Sequence, residues 1–75
     1  MGAYRPIPCA LHDRYERAVI TRAPLTLRWY EGAHTHTDTV RALALATEQG
    51  EEFLSFEDSA GATHHVRLDA IRLIA

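Results

Sequence analysis

Lysine is missing from this chain altogether, and its eight basic residues are arginines, no two of them adjacent. A protein that binds nucleic acid on its own normally clusters cations to displace phosphate counterions. The lack of a basic run therefore argues against direct nucleic-acid contact. Cysteine is nearly absent too: Cys9 stands alone, which excludes an internal disulfide and fits a reducing cytoplasm. No apolar run is long. The richest, Ala42-Leu43-Ala44-Leu45-Ala46, is far too short to cross a bilayer, and the N-terminus lacks the apolar stretch of a signal peptide. A cytoplasmic protein that stays off the membrane is the expectation. The four glycines are scattered, with no phosphate-cradling loop among them.

What is present is the balance of an ordinary globular domain, 47% apolar and 24% charged. The 75 residues allow one domain with a single small core, in which about 60% of the chain's surface is buried. Net charge is −2 and unevenly spread: residues 1–38 hold five arginines and four acids, residues 39–75 three arginines and six acids.

Residues 1–8 read as an extended arm, because Pro6 and Pro8 each disfavour helix at the residue before them. From about Cys9 to Arg22, Leu11, Tyr15, Ala18 and Val19 form one apolar stripe, and Asp13 and Arg17 sit four apart. A helix ending before Pro24 follows. Leu25 to Tyr30 alternates, with Leu25, Leu27 and Trp29 on the core side, which predicts a strand. Glu31-Gly32 makes a turn, and His34 to Val40 a polar, threonine-rich strand. Arg41 to Thr47 fits either a continuing bent strand or a short helical turn. Glu48 to Glu51 reads as a loop, Glu52 to Glu57 as a third strand, and Asp58 to Gly61 as a tight turn. Thr63 to Leu68 makes a fourth strand, with Val66 and Leu68 inward, and a short fifth follows a break at Asp69-Ala70. The expected fold is mainly β with one N-terminal α-helix: a strongly bent five-stranded antiparallel sheet or small barrel.

Several spaced residues carry a family likeness. Tyr4-x-Pro6-Ile7-x-Cys9, then Asp13-x-x-Glu16-x-Ala18, then Leu25-Thr26-Leu27 before Gly32 form its first half. Glu52-Phe53-Leu54, Gly61 and Arg67-Leu68-Asp69-x-Ile71 continue it. This ordered set, from Tyr4 to Ile71, resembles the Rho-binding antiterminator (Rof) family. The resemblance implies an Sm-like fold and a non-enzymatic, monomeric regulator without cofactor. Its implied partner is the transcription termination factor Rho, a hexameric RNA-dependent ATPase whose primary RNA site it would block. The contact residues so implied are Asp13 and Glu16 with neighbouring Leu11 and His12; the loop residues Glu48 and Gln49 join them for their exposed position beside the helix in an Sm-like fold. One departure stands out: Ala10 and Leu11 occupy positions where the family pattern has two further acids.

Other chemistry is less well supported by the residues. His34 and His36 share one side of a strand, and Asp38 could add an oxygen ligand, but solvated histidines explain them as well. Cys9 and His12 suggest a nucleophile and base, yet no orienting third group or oxyanion loop accompanies them. Cys9 is expected to pack beneath the helix instead. The aromatics could stack on bases in an Sm-like RNA-binding module, the rival reading, but without a basic groove core packing is favoured. Asp69 is expected to accept backbone N–H groups at the strand break.

Overall fold

The computed structural model describes residues 3–75. A 13-residue helix, α1 (Cys9–Thr21), precedes β1 (Pro24–Glu31), β2 (His34–Glu48), β3 (Glu51–Glu57) and β4 (Thr63–Arg67). A single 3-10 turn (Leu68–Ala70) leads into β5 (Ile71–Leu73). All pairings are antiparallel, in the order β4-β3-β2-β1-β5. The fold is therefore mainly β, one helix and a five-stranded antiparallel sheet. The sheet does not close into a barrel: β4 and β5 form its two edges, and the 3-10 turn bridges them along the chain.

Alternation builds the core. Leu25, Leu27 and Trp29 point inward from β1, Val40 and Ala42 from β2, Leu54 and Phe56 from β3. Tyr15 and Ala18 cover them from α1, and Leu68 and Ile71 complete the cluster. The segment Arg41 to Thr47 resolves as strand, not helical turn, because β2 runs unbroken for 15 residues. It pairs with β1 through its first half and β3 through its second, with a bulge between Ala42 and Ala44. The bulge leaves Leu43 outside the register, partly exposed, and lets one long strand turn the sheet around the core.

Short turns fix the register. Gly32 (φ 60°) opens the two-residue β1–β2 connection, as a II′ turn requires. Gln49 (φ 52°) and Gly50 (φ 78°) both adopt left-handed backbone, so the expected loop is a two-residue hairpin turn of the I′ kind. The helix stops at Thr21, where Arg22 adopts the left-handed conformation (φ 58°), and Pro24 already belongs to β1. The fourth strand ends at Arg67, one residue earlier than the alternation predicts, because Leu68 starts the 3-10 turn while still burying its side chain.

The arm is tied down. Asp69 accepts the Arg5 backbone N–H at 3.0 Å and two of the Arg67 guanidinium N–H groups, from Nε at 2.6 Å and Nη2 at 2.9 Å. Arg67 also lies over the Tyr4 ring, 5.7 Å from its centroid. Asp69 thus accepts a backbone N–H, as the sequence suggests, but from the distant arm.

Candidate functional site

The arm's path creates a groove of about 400 Å³. Tyr4, Pro6 and Ile7 line one wall, Cys9, His12 and Asp13 of α1 another, and Thr47, Gly50 and Glu52 of the β2–β3 hairpin a third. Two prolines and the Asp69 tether hold the chain extended until Pro8, whose carbonyl accepts the first helical N–H groups, from Leu11 and His12. The first turn of α1 is thereby held against the hairpin. His12 Nε2 lies 3.3 Å from Glu52 Oε2 and bridges helix to sheet.

The contact residues implied by the family likeness fall around this groove unequally. Asp13 lines it and is exposed, and Glu16, also exposed, follows three residues later on neighbouring helix surface. Glu48 and Gln49 stand at the hairpin turn, beside the lining residues Thr47 and Gly50. Glu48 lies 3.2 Å from His65 Nε2. Leu11 is half-buried and packs against the core, so much of its side chain is committed inward. Ala10 is exposed. Cys9 is exposed rather than packed beneath the helix: it occupies the first helical position, where the side chain faces the groove and not the sheet.

A second cluster, which sequence reasoning missed, closes the opposite end of the core. His64 makes hydrogen bonds of 2.7 Å through both ring nitrogens, Nδ1 with Glu31 Oε1 and Nε2 with Asp58 Oδ2. Its ring stacks on Phe56 (5.2 Å, 20°) and meets Trp29 edge-on. Glu31 accepts the Trp29 indole N–H at 3.0 Å as well. Two carboxylates on one imidazole favour the imidazolium. Hydrogen bonding to Asp58, and then to Glu31, raises the His64 pKa against the opposing effect of burial. The donors lower both acids in turn, Trp29 and His64 acting on Glu31, His64 and the Ala62 N–H on Asp58. Residue 64 shares its strand face with Val66, and that alternation was the available signal.

His34 and His36 do share a side, with ring centroids 6.5 Å apart. His36 stacks on Trp29 at 5.5 Å, and Asp38 is engaged by the Ser59 hydroxyl (2.7 Å) and N–H (2.9 Å). Among the described residues no group of three or more His, Cys, Asp or Glu side chains could hold a metal ion. No helix there is long and apolar enough to cross a membrane. Comparison with protein-family models, curated proteins and solved structures gives no match for this chain.

Proposed function

We propose that this chain is a Rof-like, non-enzymatic regulator that binds the termination factor Rho and blocks its primary RNA site. The single observation that carries the reading is the groove where the arm, the first turn of α1 and the β2–β3 hairpin meet. The likeness marks the helix residues for contact, the hairpin joins them through its exposed position beside the helix, and the two lie side by side although more than 30 residues separate His12 from Thr47. Asp13 and Glu52 line the groove, and Glu16, Glu48 and Glu51 stand on the elements that wall it, with Arg14 and Arg17 on α1 offsetting part of this charge. Such a surface complements a basic one on which a polyanion otherwise sits. The helix followed by an open five-stranded sheet is also compatible with an Sm-like fold, which forms part of the proposal.

The family pattern has an acid at position 11. In this chain Leu11 contributes packing to the core. The charge of the contact face therefore rests on Asp13, Glu16 and the hairpin.

The test is co-purification of the full chain with its cognate Rho hexamer, with displacement of a labelled RNA as the second readout. Binding accompanied by RNA release supports the proposal; no binding at micromolar protein in low salt overturns it. Asp13→Lys weakens binding about tenfold at low salt, and the loss shrinks as ionic strength rises and screens the contact.

A further inference from the structure

The outer face of the β5–β1–β2 portion of the sheet carries a charge arrangement hidden in the sequence. Arg28 and Arg72 are 44 positions apart, yet the β1–β5 register sets them directly opposite each other. Their neighbours Leu27, Trp29, Ile71 and Leu73 pack into or against the core, so both arginines point away from it. Like charges placed directly opposite on adjacent strands destabilise a sheet. Among the described residues neither arginine has an acidic partner within ion-pair distance. Arg28 is instead oriented by a neutral group, its Nε donating to Thr37 Oγ1 at 3.2 Å, which leaves its terminal N–H groups to solvent.

The same face supplies an aromatic ring. Tyr30 follows Arg28 on the outward side of β1, about 7 Å further along the strand, and is 55% exposed. Thr37 stands opposite Arg28, and the hydrogen-bonded pair Thr26 and Thr39 lies on the other side of Arg28 from Tyr30. The one acid at this end of β1, Glu31, is turned the other way by the Trp29 indole and His64. Two arginines set opposite each other by the register, an exposed ring one residue-pair away and no carboxylate within ion-pair distance suit phosphates and a base together. An acidic peptide would use the charge but does not carry a base beside every charged group to stack on the ring.

We propose that this face binds single-stranded nucleic acid, with Arg28 and Arg72 holding phosphates and Tyr30 stacking on a base. The site is small and weak compared with a basic groove, which is why composition gives no sign of it. It stands independently of the Rho reading, since it lies on a different surface from the Asp13 groove.

Fluorescence anisotropy of a labelled decauridylate, titrated with the full chain at low salt, tests it. Saturable binding is expected, with a log–log salt slope of about −1.4 for two phosphate contacts. Arg28→Glu and Arg72→Glu each weaken binding about tenfold or more, and Tyr30→Ala about fivefold. Arg72→Thr provides a control for folding: it weakens binding yet raises thermal stability, because it removes the like-charge pair. Asp13→Lys leaves the binding undiminished. The proposal is overturned if no binding occurs, if these variants bind like the parent, or if polyglutamate binds the same face as tightly as the oligonucleotide.

Discussion

His64 shows how much a single side chain can commit. Its ring lies against Phe56 and Trp29 while its two nitrogens hold Glu31 at the end of β1 and Asp58 at the β3–β4 turn. Because its pKa is raised in the fold, the stabilisation from its charge is fully present below the unfolded value of 6.5 and is lost as pH climbs through the folded value. Glu31 and Asp58 have lowered pKa values, so their share is present above the ordinary 4.5 and 3.8 and is lost as pH falls through the folded values. Stability is therefore expected to be greatest between about pH 4.5 and 6.5 and to decline on the alkaline side. Urea midpoints measured from pH 5 to 9 check this, and His64→Gln should flatten the alkaline decline; a parent profile that is level from pH 6 to 9 would refute it. Tyr15 is a contrasting case. Its ring is fully buried, its hydroxyl has no hydrogen-bond partner among the described residues, and burial pushes its pKa up to about 12. A buried hydroxyl without a partner costs about 1–3 kcal/mol. Tyr15→Phe should consequently leave stability unchanged or raise it by about 1 kcal/mol in chemical denaturation.

At the level of elements, the two-residue turn between β2 and β3 sets the hairpin that walls the groove. Both its residues sit at positive φ, which glycine tolerates and glutamine does not favour. Gln49→Asn should raise the denaturation midpoint, since asparagine before glycine is the preferred pair for this turn. Gly50→Ala should cost about 1–2 kcal/mol from backbone strain alone, because a Cβ at that position meets nothing within 4 Å. The elements were legible in the sequence where a period was clean. Leu11, Tyr15 and Ala18 announced the helix, and Leu25, Leu27 and Trp29 the first strand. Arg41 to Thr47 was ambiguous for a physical reason: alanine has low strand propensity, and the bulge after Ala42 breaks the alternation that would have settled the choice. The groove was only half legible. The family likeness singled out Asp13 and Glu16, and exposure beside the helix the Glu48-Gln49 turn, but their adjacency depends on register and on the path of the arm. The exposure of Cys9 was hidden for the same reason, because average burial of a residue type says nothing about which way the first helical turn faces.

Across the whole molecule, the arm before α1 is fastened to the 3-10 turn before β5, and that fastening shapes the proposed contact surface. The arm packs beside α1, yet its anchor, Asp69, belongs to the 3-10 turn between the edge strands β4 and β5. Burial alone would raise the Asp69 pKa. The Arg67 guanidinium and the Arg5 N–H outweigh it and hold the carboxyl below the usual range. The carboxylate thus stays charged at neutral pH and keeps Tyr4, Pro6 and Ile7 in place as one wall of the groove. Replacing it separates the wall from the charges that line the other side. Asp69→Ala should speed amide hydrogen exchange at Arg5 and across the arm far more than in β1 or β2, because the arm makes few other backbone bonds. If the groove is the Rho contact, the same variant should also weaken Rho binding, although Asp13, Glu16 and the hairpin are unchanged. The arm must then be ordered at the moment of binding, and the entropy of fixing those residues opposes association. A variant that loosens the arm by hydrogen exchange but binds Rho like the parent would remove the arm from the contact surface, and would leave the helix and hairpin as the parts that bind.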